Sequence, residues 1–417
     1  KKLFNSIYKF FNSTESFIKT LPLDGFYNEV ILVKGAFSFK FNEIAELLTL
    51  KKHDTVMEIN LHALINNLNT FKSLLKPETK TMCMVKAFSY GTGSYEVAQS
   101  LEFNGVDYLG VAYADEGVLL RKNGVSLPIM VLNPEQSSYD AVIKYNLEPE
   151  IYSLRVLNKF IQALEKNNIS FDYPIHIKID TGMNRLGFKE SEIDELKLNL
   201  EVLVNKISVT SVFSHLAESE NTEDKAFTLA QLSLFDKLYS RLTFGATKKP
   251  FRHLLNSSGI LNYKEHQYEM VRLGIGLYGY TSNQSIVLEN VAKFKTVISQ
   301  IKTIEKGESV SYNRNFIAKE KTRIAILPVG YADGIHRIAG NEKGFVGIKN
   351  KRAKILGTIC MDILMVDVSN INCEEGDEVC VFGSNPSLKE VADFCDTIPY
   401  EILTSISQRV KRVYYKE

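Results

Sequence analysis

The chain has 417 residues, 45% of them hydrophobic and 24% charged, which is ordinary for a globular protein and long enough for two or three domains with cores of their own. Fifty Lys and Arg against forty-nine Asp and Glu leave a formal charge of +1, and no basic stripe is interleaved with aromatics, so nucleic acid is excluded as a partner. No apolar run is long enough to span a bilayer and no charged-then-apolar leader opens the chain, so a membrane is excluded as well and a cytoplasmic location is expected.

The five cysteines, Cys83, Cys360, Cys373, Cys380 and Cys395, show neither paired spacing nor C-x-x-C, as expected of reduced thiols. No metal site is expected. Residues 1–52 form an N-terminal extension that fits neither of the patterns that follow it. They read as an aromatic-rich helix, a strand over 29–34 and a helix over 42–50. A further strand is predicted at Thr55-Val56-Met57-Glu58-Ile59-Asn60.

From residue 82 onward, short apolar or β-branched runs alternate with stretches of helical period: 82–86, 108–112, 128–132, 148–151, 175–180, 209–214, 252–256 and 271–275. Eight such units predict a parallel sheet closed into a (β/α)8 barrel over residues 53–290. The fold class is therefore α/β, and chemistry is expected where the strands end, near Lys86, Lys178, His215 and Asn256. After about residue 290 the pattern changes to alternating strands with tight turns, which predicts a separate, mostly β domain over residues 291–417.

Lys86 lies in Met84-Val85-Lys86-Ala87-Phe88-Ser89-Tyr90-Gly91-Thr92-Gly93, after an apolar strand and before a Gly-rich turn. Burial lowers a lysine's pKa and frees its amine to condense with an aldehyde, while the turn offers N–H groups and the Tyr90 hydroxyl to a phosphate. The aldehyde so implied is pyridoxal phosphate. A lone lysine at a strand end is more often simply solvated, so the assignment rests on what accompanies it. The segment resembles the cofactor-lysine motif of alanine racemases, and the resemblance recurs in order from about residue 54 to the end.

That resemblance implies a homodimer in which each site joins one subunit's barrel to the other's β domain, and a strand at 55–60 that joins the β domain. Racemisation removes the Cα proton from one face and returns it on the other, so two acid/base groups must flank an electron sink. Lys86 is implied as one. Tyr312, in Val310-Ser311-Tyr312-Asn313, matches the catalytic tyrosine contributed by the second subunit. A phenol of reference pKa about 10 needs a nearby cation to act as a base, and His215 and Arg272 are implied in that position, with His253 given less weight. Arg272 is also implied to face the pyridine nitrogen, to which guanidinium does not yield a proton; barrel-type decarboxylases place an acidic residue there.

Tyr90, Asn256, Ser257, Gly274, Ile275 and Tyr400 are implied to hold the phosphate. Gly274-Ile275-Gly276-Leu277-Tyr278-Gly279 also satisfies G-x-G-x-x-G, but it does not open a βαβ unit and no acidic residue follows at ribose-binding distance, so a dinucleotide site is set aside. In Ile179-Asp180-Thr181-Gly182-Met183-Asn184-Arg185-Leu186-Gly187, Arg185 is implied to meet the substrate carboxylate. Lys178 matches a lysine often carbamylated in related racemases, and either that carbamate or a bound anion is expected beside Arg185. Met361 is implied to present its backbone N–H to the substrate, and Tyr331 to narrow the entrance so that alanine enters and bulkier side chains do not.

The reading is a pyridoxal phosphate-dependent alanine racemase that supplies D-alanine for peptidoglycan. The alternatives are another barrel-type enzyme, either an amino-acid decarboxylase or a broader racemase, and a non-catalytic carrier of the cofactor. Ile31-Leu32-Val33-Lys34-Gly35-Ala36 with Phe39 resembles the closing segment of a Mur ligase, so two origins of residues 1–52 stand open, the remnant of a ligase–racemase fusion, which is favoured, and a family-specific N-terminal extension.

Overall fold

The computed structural model describes residues 10–20, 31, 33, 34, 39, 44, 54–242, 249–283 and 285–416, and divides into two units, Lys1–Asp54 and Thr55–Glu417. In the first unit the described residues form one short helix, Thr14–Ile18, whose first turn is capped by Ser13 and beside which Phe11 packs edge-on to Phe17. The strand expected over 29–34 and the helix over 42–50 lie outside the described residues, apart from isolated positions, and so does the segment resembling a Mur ligase.

In the second unit β1 (Val56–Asn60) leads into the helix Leu61–Lys72. Asn60 makes the transition: its Oδ1 accepts from the N–H groups of His62 at 2.9 Å and Ala63 at 3.0 Å, satisfying donors that a helix start leaves free. Eight strands follow, each separated from the next by helix: β2 (Lys80–Met84), β3 (Tyr108–Val111), β4 (Ile129–Val131), β5 (Glu148–Ile151), β6 (Tyr173–Lys178), β7 (Ile207–Phe213), β8 (Phe251–His253) and β9 (Met270–Leu273). All eight predicted barrel strands are present, with ends shifted by up to three residues.

They pair in parallel in the order β8-β7-β6-β5-β4-β3-β2-β9. β8 and β9 share no ladder. They are tied instead by the Arg272 N–H on Leu255 O at 2.9 Å and by Arg252 on the Glu269 carboxylate at 2.7 Å. The strands are buried on both faces, as β3 and β4 show at every residue, and this is why they read as unbroken apolar runs. The covering helices are amphipathic: Leu154–Lys166 turns Val156, Leu157, Phe160, Ile161 and Leu164 inward at helical spacing.

The C-terminal lobe is built on a nine-stranded sheet that adds β10 (Ala292–Val297), β11 (Gln300–Ile304), β14 (Thr322–Leu327), β15 (Phe345–Ile348), β16 (Lys351–Leu356), β17 (Leu364–Asp367), β18 (Glu378–Phe382) and β19 (Lys411–Tyr415), while β12 (Ser309–Val310) and β13 (Phe316–Ile317) pair separately. β1 lies in this sheet as expected, antiparallel to β10 (Val56↔Lys295) and parallel to β19 (Val56↔Lys411). The lobe is mostly β, as expected, and two helices, Leu388–Phe394 and Pro399–Ser405, stand among its strands. Each opens on a recognisable start, Ser387 as cap of the first and Pro399 in the first turn of the second, inside a stretch dominated by strands.

Candidate active site

At the C-terminal ends of the barrel strands a cavity of about 410 Å³ opens. Four cations line it, Lys86, Lys178, Arg185 and Arg272, together with His215, the hydroxyl-bearing Tyr90, Ser257 and Tyr400, and Asn256, Gly274 and Ile275; no carboxylate is among its lining residues. Eleven predicted site residues thus meet in one place.

Lys86 follows the buried end of β2 and enters a turn of unusual handedness. Ala87, Phe88, Ser89 and Tyr90 have φ of +53°, +56°, +49° and +54°, a left-handed helical turn without a glycine. Each such residue costs roughly 1–2 kcal/mol, so the turn persists only because its surroundings fix it. Ser89 N–H bonds Val85 O at 3.0 Å and Thr92 Oγ1 bonds Ser89 O at 2.6 Å. The Glu116 carboxylate accepts from Ala87 N and from Ala112 N at 2.7 Å. Gly91, at φ +82°, then lets the helix Pro399–Ser405 approach: a Cβ there would stand 2.1 Å from Leu403 O. That helix carries Tyr400 into the cavity.

The Lys86 amine is held below the usual lysine range, first by burial and then by the Arg185 guanidinium, with Lys178 and Arg272 adding to it and Glu116 opposing. An amine so placed is readily neutral and nucleophilic. Arg272 is buried at 4% exposure and both its terminal nitrogens are engaged, NH1 with His253 Nδ1 at 2.6 Å and NH2 with Ser214 O at 2.7 Å and Leu254 O at 3.0 Å. Burial lowers it to about 10, so it stays charged at neutral pH.

His215 does not supply the positive charge expected of it. Burial, then Arg272 and Arg185, push its imidazole well below the usual range, and its Nδ1 lies 3.3 Å from Arg272 NH2, as an acceptor. His253, given less weight from sequence, is the nearer partner of that arginine. It heads a buried chain: His253 Nε2 to Ser211 Oγ at 2.8 Å, Ser211 Oγ to His176 Nδ1 at 2.7 Å, and His176 Nε2 to Glu148 at 2.8 Å. Sequence reasoning missed this chain, whose only signal was polar residues recurring in strands otherwise apolar.

At the other end, Ser257 Oγ accepts from the Gly274 N–H at 3.0 Å and the Gly276 N–H at 3.2 Å, and Asn256 Oδ1 caps the helix Ser257–Asn262 through Gly259 N–H at 2.9 Å. Burial raises the phenols of Tyr90 and Tyr400, so both keep their protons and act as donors. The donor set fits pyridoxal phosphate: an amine of lowered pKa for its aldehyde, neutral hydroxyl donors for its phosphate, and cations throughout a cavity whose lining has no competing carboxylate.

Arg185 stands exposed at the rim, in a loop that Asp180 Oδ1 tightens by accepting from Gly182 N and Asn184 N, both at 3.0 Å. Behind it Lys178 Nζ meets Glu150 Oε1 at 3.0 Å. Glu150 is fully buried and was not anticipated, although two acids in the short run 148–151 were a visible signal.

Tyr312, Tyr331 and Met361 do not line the cavity. They are 68%, 41% and 53% exposed on the C-terminal lobe. Their segments are joined there: Tyr331 N–H bonds Cys360 O at 3.1 Å, Ala332 N–H bonds Met361 O at 2.9 Å, and Ser311 Oγ donates to Thr358 O.

Residues 59–282 match the family model of the alanine racemase N-terminal domain, and residues 291–414 match that of the C-terminal domain. The chain belongs to the alanine racemase family. Among curated relatives, the alanine racemase of Thermodesulfovibrio yellowstonii is 37% identical over 86% of this chain and 97% of its own length, and that of Clostridium tetani is 37% identical over 86% and 95%. Among solved structures, an alanine racemase of Clostridium difficile superposes with a TM-score of 0.80 at 35% identity, over 87% of this chain and 96% of that one. The alanine racemase of Bartonella henselae, solved with covalently bound pyridoxal phosphate, gives 0.79 at 28% identity, over 87% and 99%. The family's reaction is the pyridoxal phosphate-dependent interconversion of L- and D-alanine, an isomerisation.

Proposed function

We propose that this alanine racemase family member works in the cytoplasm as a homodimer, interconverting L- and D-alanine by two bases, Lys86 of one subunit and Tyr312 of the other, and so supplies D-alanine for peptidoglycan. The observation that carries the reading is the division of the predicted site: eleven residues surround the cavity, while Tyr312, Tyr331 and Met361 form one exposed cluster on the C-terminal lobe. A second copy presenting that cluster to the cavity supplies the missing base. On this reading residues 53–290 are the cofactor-binding barrel, residues 291–417 the domain that completes the neighbouring site, and residues 1–52 an extension outside both.

Bound pyridoxal phosphate supplies the electron sink that lets the Cα proton leave. Lys86 would hold the aldehyde carbon, Arg272 would face the ring nitrogen, and Tyr90, Ser257, Ile275 and Tyr400 would hold the phosphate. Lys86, its pKa lowered by burial among cations, takes or returns the proton on one face. The phenol of Tyr312 does the same on the other. Arg185 fixes the carboxylate of alanine by paired hydrogen bonds, and Tyr331 limits the size of the side chain admitted. Arg272, charged and engaged with carbonyls, withholds its proton from the ring nitrogen. An acidic residue in its place would favour decarboxylation, so the racemase reading stands ahead of that one.

The test is incubation of the cofactor-loaded protein with L-alanine in heavy water, followed by chiral separation and mass analysis. Deuterated D-alanine is expected. A loaded protein that leaves L-alanine unchanged would contradict the assignment.

A further inference from the structure

The cavity gathers Lys86, Lys178, Arg185 and Arg272, and a like-charged cluster of this kind needs an anion beneath it. One is present in the chain itself. Glu150, on β5, reaches across to the end of β6 and places Oε1 3.0 Å from Lys178 Nζ, with the two side chains 0% and 8% exposed. Its Oε2 is buried and makes no hydrogen bond. Lys178 also lies over the Phe213 ring, 5.4 Å from its centroid, on a face of the site without other anions among the lining residues.

We propose that Glu150 is a positioning residue that supplies the counter-charge beneath Lys178 and Arg185, holds Lys178 as an ammonium, and thereby closes that lysine to carbamylation. Carbamylation requires the neutral amine: the nitrogen lone pair attacks the carbon of carbon dioxide, an N–C bond forms as one C=O bond opens to C–O⁻, and a proton leaves the nitrogen for solvent. An ammonium bound to a carboxylate has no lone pair to offer. A carbamate formed there would also set a second anion against Glu150 in a buried place. Burial, opposed by Lys178, Arg185 and Arg272, leaves Glu150 raised to about 7, so most of the carboxylate is ionised at pH 8; burial lowers Lys178 as well, and the carboxylate of Glu150 is the largest influence that raises it again. The inference rests on the proposed function only for its effect on alanine, since the state of Lys178 can be read without substrate.

The experiment is ¹³C NMR of the cofactor-loaded protein equilibrated with ¹³C-bicarbonate at pH 8, with Lys178→Arg as the control that assigns any carbamate signal. The wild type is expected to show no such signal and an alanine turnover that does not respond to bicarbonate. Glu150→Gln is expected to show the signal and to gain activity as bicarbonate is added, whereas Glu150→Asp behaves as wild type; Glu150→Ala replaces the glutamine variant if that one does not fold. A carbamate signal in the wild type overturns the proposal, and so does its absence from both the wild type and the charge-removed variant. A protein inactive toward alanine yet showing the expected NMR pattern would separate failure of the racemase reading from failure of this one.

Discussion

At the residue scale, the chemistry depends on side chains whose charge state is set by burial. Lys86 is poised as a base by the same cations that prepare the cavity for anions, so Lys86→Ala should abolish both racemisation and the covalent capture of the cofactor, read from the protein's absorbance. Tyr312 is exposed in the single chain, and Tyr312→Phe, which removes one hydroxyl, should lower turnover in both directions by about 10²–10⁴-fold, the usual worth of a positioned acid/base group. Unchanged rates in both directions would remove it from the mechanism. Most of these residues were legible because each stands in a short motif of contiguous positions. Glu150, His176 and Ser211 were not, because their partners come from neighbouring strands 28 to 42 residues away, and a one-dimensional pattern does not show which side chains face each other inside a barrel.

At the element scale, the barrel strands were readable because burial on both faces leaves unbroken apolar runs, and β5 is the instructive exception. Its Glu148 and Glu150 both serve buried partners, His176 and Lys178 of β6. The left-handed turn at 87–90 was not readable at all, since Ala, Phe, Ser and Tyr have no preference for positive φ; tertiary contacts with Glu116 impose it. The helix Pro399–Ser405 was hidden in a strand-rich stretch, and its docking explains Gly91. Gly91→Ala should destabilise the protein by about 2–4 kcal/mol, combining about 1 kcal/mol for the left-handed backbone with 1–3 kcal/mol for overpacking against Leu403 O. Because the same helix presents Tyr400, cofactor retention during dialysis should weaken in parallel. A variant of wild-type stability and retention would show that the helix does not dock as described.

At the scale of the whole molecule, buried neutral imidazoles make stability depend on pH. Burial holds His215 and His253 well below the usual 6.5 in the folded state. Below that value the unfolded chain takes up protons that the folded chain refuses, so stability falls as pH falls. Glu150, raised to about 7, binds its proton earlier when folded and offsets one histidine down to an unfolded value of about 4.3. The net is roughly one proton, or about 1.4 kcal/mol lost per pH unit below 6.5. Denaturation midpoints measured from pH 7 to pH 5 should decline; a flat profile would mean that the histidines are charged in the folded protein. The central claim, that a site is shared between two copies, is tested most directly by mixing two inactive homodimers, Lys86→Ala and Tyr312→Phe, under conditions of subunit exchange. In a mixed dimer one site inherits both lesions and the other neither, so random re-pairing should restore about a quarter of wild-type activity. Recovery at that level is the predicted result, and a mixture that stays inactive while mass analysis shows that mixed dimers have formed would contradict the account.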